Sequence, residues 1–317
     1  MDWRVDASEI QWMTERLANF WEPRLVALAP SGFPAYGRLL HPAYTEGGSL
    51  VRWADVAMRN GVPMTATSDF AHLALPSRCP PGGRPWRGEP PRCGTLEKIQ
   101  AEHLVDVLRS YTATPDVVMF ALWDGLGWDV AMWLDSNNRA VPVPDPVPAA
   151  ARRGPGLRIP GRDYLVYRGR LEDALYWLPT YDQTPHYWWP QDHAWAVASD
   201  VDLPWSIVAG SSDLVSRLAI DAVLEVVPLA VDAVRDPEPA WLRAAVAQAA
   251  QDLLRVRAAT IDTVRGPVSF RLDERGWWLE CGRTSRTRLF PEGVPQPYEE
   301  QLSSAILSSL MDALHLY

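Results

Sequence analysis

Residues 76–94, PSRCPPGGRPWRGEPPRCG, set the first limit on the fold, because they hold six prolines and four glycines. Proline lacks an amide donor and fixes φ, and glycine must give up the most backbone freedom. Neither a helix nor a central strand can run through such a stretch. It reads as a long loop or linker, and any domain boundary belongs inside it. The expected division is a helical N-terminal lobe over 1–78, a Pro/Gly-rich loop over 79–94 and an α+β domain over 95–317. A single large domain with a helical N-terminal lobe is the alternative.

Upstream of the loop, Ser8 with Gln11 suits a capping box. Ile10, Met13, Leu17 and Phe20 or Trp21 then recur on one helical face until Pro23. A shorter helix is expected over about 49–60, capped by Ser49 and followed by Gly61 at the C′ position. A third runs over about 95–111. The hydrophobic period then falls from about 3.6 to 2. Residues 117–123 read as a buried strand, 124–127 as a turn and 129–134 as the return strand. Strands are also expected over 164–168, 194–199 and 205–209. Ser211 or Ser212 caps a helix that leads into the apolar run 223–229. A helix over 238–259, a hairpin joining 268–272 to 276–281 and a last helix over 297–315 complete the pattern. The fold class that follows is α+β: a mainly antiparallel sheet with flanking helices.

The chain has 317 residues, and its 39 acidic against 30 basic side chains give a net charge of −9. An acidic chain of this kind argues against nucleic acid or an anionic membrane as partner, since both require a positive face. No apolar run is long enough to span a bilayer. The opening Met1-Asp2-Trp3-Arg4-Val5-Asp6 has neither the basic nor the apolar region of a secretory signal. The expected compartment is the cytoplasm, with Cys79, Cys93 and Cys281 as reduced thiols. Lys98 is the single lysine, and arginine in its place is what a GC-rich genome produces. Arginine abundance is therefore not by itself a sign of phosphate recognition.

The short signatures that identify P-loop nucleotidases, dinucleotide-binding folds, zincins, α/β-hydrolases and thiol oxidoreductases are all absent from the sequence. No cofactor is called for. Cys79 and Cys93 could supply two zinc ligands, but tetrahedral zinc needs four. Asp124 and Asp129 flank a glycine turn that explains them without a cation. Asp200-Val201-Asp202 follows an apolar run, an arrangement that can hold a divalent cation on a diphosphate. On that pair rests the enzymatic alternative, a metal-dependent enzyme acting on a sugar- or phosphate-bearing small molecule.

The densest chemistry lies in His186-Tyr187-Trp188-Trp189-Pro190-Gln191-Asp192-His193-Ala194-Trp195, with Trp177 and Tyr181 close by. Rings with polar tips form platforms that stack on sugars, bases or aromatic side chains. Asp192 and His193 are an acid/base candidate pair. Arg152, Arg153, Arg158, Arg162, Arg168 and Arg170 add positive charge over 152–170. Sixteen tryptophans with abundant arginine, in the absence of a catalytic signature, favour a non-enzymatic binding or interaction protein with another protein as partner. Its expected surface comprises Trp177, Tyr187, Trp188, Trp189, Asp192, His193, Arg158 and Arg162, and its oligomeric state is left open. The competing reading of the same tryptophans is that they fill the core.

Several segments taken together, GRLLHPA at 37–43, VRWADVA at 51–57, FALWDGLGW at 120–128 and WWPQDHAW at 188–195, resemble a group of uncharacterised proteins from high-GC actinobacteria. The resemblance spans about residues 36–212. It implies a cytoplasmic bacterial protein and carries no activity, cofactor or catalytic residue.

Overall fold

A computed structural model describes residues 1–17, 24–74, 86, 88–126, 132–134, 139–142, 146–234, 258–263, 266–273, 276–281 and 285–288. Two compact units emerge: Met1–His41 with Arg92–Arg235, and Pro42–Pro91 with Asp236–Tyr317. This division differs from the expected one, because the N-terminal segment supplies a strand to the main sheet.

The first unit is built on an eight-stranded sheet. Its strands are β1 (Ala35–Leu40), β2 (Val118–Trp123), β3 (Leu157–Ile159), β4 (Arg162–Gly169), β5 (Tyr187–Pro190), β6 (Ala196–Ser199), β7 (Trp205–Gly210) and β8 (Glu225–Leu229). Their order across the sheet is β8-β1-β7-β6-β5-β2-β4-β3, with every neighbouring pair antiparallel. The sequence predicts this antiparallel α+β architecture. The helical N-terminal part is minor, since β1 lies inside the sheet between β7 and β8.

Three helices of this unit matter below: α1 (Ala7–Thr14), α2 (Lys98–Arg109) and α3 (Ser212–Ala219). The cap of α1 is Asp6, whose amide donates to the Glu9 carboxylate at 2.8 Å, so the capping box lies two residues before the expected Ser8/Gln11 pair. Ser211 caps α3 as expected, accepting the Leu214 amide on its Oγ at 3.1 Å. One face of the sheet packs Leu39, Val118, Phe120, Leu122, Tyr167, Trp188, Val197, Val208 and Val226 against Leu104 and Leu108 of α2 and Leu214 and Leu218 of α3. The residues between them on the other face, among them Tyr36, Met119, Ala121, Tyr187, Trp189, Ala198 and Ile207, are buried as well. Both faces being covered, the central strands carry uninterrupted apolar runs instead of an apolar/polar alternation.

One strand pairing differs from expectation. Of the return strand expected over 129–134, the described residues 132–134 do not lie along β2, whose neighbours are β4 and β5. Met132–Leu134 pairs instead with Ala140–Pro142 in a separate ribbon.

In the second unit, Trp53–Asn60 ends at Gly61 with φ of 63°, the left-handed turn expected of a C′ glycine. Strands Ala258–Thr263, Gly266–Asp273, Gly276–Cys281 and Ser285–Arg288 form an antiparallel meander in chain order. The hairpin expected around Asp273 and Gly276 is therefore present. The helix expected over 238–259 and the one over 297–315 lie outside the described residues, save that Ala258 and Ala259 begin a strand. Among the described residues, no helix is long and apolar enough to cross a membrane.

Candidate functional site

The aromatic run does not form a surface. Trp177, Tyr187, Trp188 and Trp189 are each 0 % exposed, and Trp195 is equally enclosed. The expectation that these rings make a recognition surface is corrected for all four named residues. The physical reason is the two-sided sheet. Trp188 and Trp189 point to opposite faces, and each face is covered. The Trp188 indole donates to the Pro185 carbonyl at 2.7 Å, and the Trp177 indole donates to the Tyr167 hydroxyl at 3.0 Å. Phe120 packs against Tyr167 and Trp188, with centroids at 5.1 and 6.3 Å.

The arginines of 152–170 also differ from a free positive patch. Arg152 pairs with Asp124, Arg168 with Glu9 and Asp2, and Arg170 with Asp116. Arg158 is exposed on β3, opposite Asp163 of β4. Arg162 is the charge that answers Asp200-Val201-Asp202: its Nε lies 3.3 Å from the Asp200 carboxylate and its Nη2 bonds Asp202. Asp200 is fully buried, and burial pushes its carboxyl up against the opposing pull of Arg162. The guanidinium thus sits where the expected cation would have been. Among the described residues, no group of three His, Cys, Asp or Glu is placed to hold a metal ion. Cys93 is exposed, Cys79 lies outside the described residues, and Cys281 ends a strand.

Two other buried groups of this unit belong to the framework. His186 accepts the Trp123 amide on Nδ1 at 3.2 Å, while burial and then Arg162 lower its pKa to about 3. His41 bonds the Arg92 carbonyl and the Ser206 hydroxyl, and burial lowers its pKa to about 4. Both imidazoles are held neutral at pH 7.

Asp192 and His193 leave the sheet together but do not form an acid/base pair. The Asp192 carboxylate accepts from the Thr112 hydroxyl at 2.8 Å, the Ala113 amide at 2.6 Å and the Ala194 amide at 3.2 Å. Partial burial raises its pKa, and these bonds outweigh that and leave it below the ordinary carboxylate value. So clamped, the turn holds His193 at φ of 54°, a left-handed conformation uncommon outside glycine. The imidazole stacks on Trp12 of α1, with centroids 4.1 Å apart and planes within 4°. Loss of solvent, then Arg16, lowers its pKa, against the pull of Asp192.

Among the described residues, two hollows lie beside this stack. One, of about 360 Å³, is lined by Trp12, Arg16, Phe33, Pro34, His193 and Ser211 among others. The second, of about 430 Å³, is lined by Glu15, Arg16, Leu17, Arg24, Ala27 and Tyr36 among others. Arg16, Ser31, Gly32 and Phe33 line both, so the two adjoin, and together they are called the groove. Phe33 meets Trp12 edge-on at 6.1 Å. The Arg16 guanidinium lies 5.1 Å over the Trp12 ring, and its Nη1 donates to the Trp12 carbonyl at 3.2 Å. A Glu15 oxygen stands 3.9 Å from the same nitrogen. Among the described residues, Arg16 Nε and Nη2 have no acceptor.

Sequence reasoning found His193 and Asp192 here and missed Trp12, Arg16, Phe33 and Ser211. One signal was available. Ile10 and Met13 mark the buried side of α1, which leaves Trp12 and Arg16, one turn apart, together on its outer side. Comparison of the chain with known protein families, with curated proteins and with solved structures gives no match, so function is argued from this geometry.

Proposed function

We propose that the chain is a non-enzymatic cytoplasmic binding protein whose recognition surface is the groove at Trp12, Arg16, Phe33 and His193, with another protein as partner. One observation carries this reading. Arg16 stands over an indole, lines both hollows, and among the described residues keeps two donors without an acceptor. Binding sites combine apolar walls with a few oriented polar groups, and Trp and Arg dominate the energetics of protein interfaces. The clamped turn adds support, since a residue held in a sparse backbone region beside a groove is a position that folding alone does not favour. The ion-paired Asp200 and Asp202 and the enclosed rings of Trp177, Tyr187, Trp188, Trp189 and Trp195 offer no comparable surface.

Soaking crystals of the protein with a fragment library tests the reading without prejudging the ligand. Fragments are expected to gather beside Trp12 and His193. Hits concentrated at Arg162 and Asp202, with an empty groove, would overturn it.

A further inference from the structure

Resting on that reading, we infer that the groove takes an acidic side chain of an extended partner segment, with an apolar neighbour in the adjoining hollow. The free edge of Arg16 decides the chemistry. Nε and Nη2 project in one plane, the geometry that a carboxylate accepts with two parallel hydrogen bonds. The ring and the carbonyl of Trp12 hold the guanidinium in place in advance, so less side-chain freedom is lost on binding. His193, with its lowered pKa, contributes a neutral ring at pH 7 and leaves Arg16 as the cation among the described residues of the first hollow.

The two hollows differ in charge, which sets the register. Among the described residues, no carboxylate lines the hollow at His193. The other carries Glu15 beside Arg24, and its remaining walls include Leu17, Val26, Ala27, Ala29 and Val231. An acid therefore belongs on the His193 side and an aliphatic residue on the Leu17 side.

The chain's net charge of −9 opposes an acidic partner at long range. At about 0.1 M salt the Debye length is near 10 Å, so distant charges are largely screened, whereas two hydrogen-bonded charges in contact are screened much less. The local pair prevails, and the association rate gains nothing from steering.

The test uses the full chain labelled with ¹⁵N at its tryptophan indoles, the Trp12 signal being assigned with Trp12→Phe. Three acetylated, amidated tetrapeptides are titrated: Gly-Asp-Leu-Gly and its counterparts with Asn or Lys in place of Asp. Inorganic phosphate is the fourth arm. The Asp peptide is expected to shift the Trp12 signal and to bind at least about tenfold more tightly than the Asn or Lys peptide, the size of one charge-assisted hydrogen bond. Arg16→Gln is expected to remove that preference, and Arg16→Lys to restore only part of it. Equal binding of all three peptides, or an Asp preference that survives Arg16→Gln, overturns the acidic occupant and leaves the groove reading standing. Phosphate binding as tight as the Asp peptide overturns the extended segment, because it shows an anion site alone. Silence at Trp12 in every arm overturns both.

Discussion

Residues 187–190 and 191–194 are neighbours in the chain and have opposite fates. The first four, Tyr-Trp-Trp-Pro, form β5 and are enclosed on both faces of the sheet. The next four form a turn whose His193 is half-buried, left-handed and stacked on Trp12. A run of large rings marks where the core passes. The residue that faces solvent is the one that has just left the strand. Aromatic density is thus a poor guide to a binding surface, and a clamped, unusual backbone conformation is a better one.

The comparison breaks first at Trp188. Trp188→Ala is expected to cost about 3–5 kcal/mol, the scale of an enclosed indole deleted from a packed core, read by denaturant unfolding. A cost below about 1 kcal/mol would mean that the ring is not core and would reopen the surface reading.

The second break lies in pH. His186 and His41 have folded-state pKa values of about 3 and about 4, below the unfolded value of 6.5. The unfolded chain therefore binds more protons than the folded one in this range. Their contribution is complete above pH 6.5 and is lost as pH falls toward the folded values. Between pH 7 and 5 each should cost about 2 kcal/mol of stability. His186→Asn, which keeps an acceptor for the Trp123 amide, should flatten that slope. An unchanged slope would show that His186 is not held neutral by burial.

Asp192 sharpens the contrast at the turn itself. Asp192→Ala removes the acceptor of the Thr112, Ala113 and Ala194 donors and is expected to cost about 1–3 kcal/mol. Hydrogen exchange should rise at residues 192–194 and stay unchanged in β5. Loss of protection in β5 as well would join the two regions into one cooperative element.

The smallest stability effects belong to the groove. Arg16→Gln should change stability by no more than about 0.5 kcal/mol, as a half-exposed side chain outside the core does, while removing the preference for the acidic peptide. A destabilisation on the scale of Trp188→Ala would make Arg16 a framework residue.

Much of the fold was legible. The antiparallel pattern, the Ser211 cap, the Gly61 stop and the 273–276 hairpin follow from local rules on period, capping and turns. Register and partner choice were not. The return strand expected for β2 was a reasonable hairpin, but β4 and β5 flank it instead, because pairing is settled by which apolar faces meet. At the site, the sequence singled out Asp192 and His193 yet missed Trp12, Arg16 and Phe33, which lie far from them along the chain. Asp200 and Asp202 resembled a cation site for the same reason: their counter-ion, Arg162, comes from another strand.

By itself, then, the sequence determined which stretches become strand or helix, since period, caps and glycine positions act over a few residues. The tertiary structure alone decided which rings are enclosed and which charges are paired. Burial and ion pairing depend on what packs across the sheet, and that information is spread over residues more than a hundred positions apart, as His193 and Trp12 are.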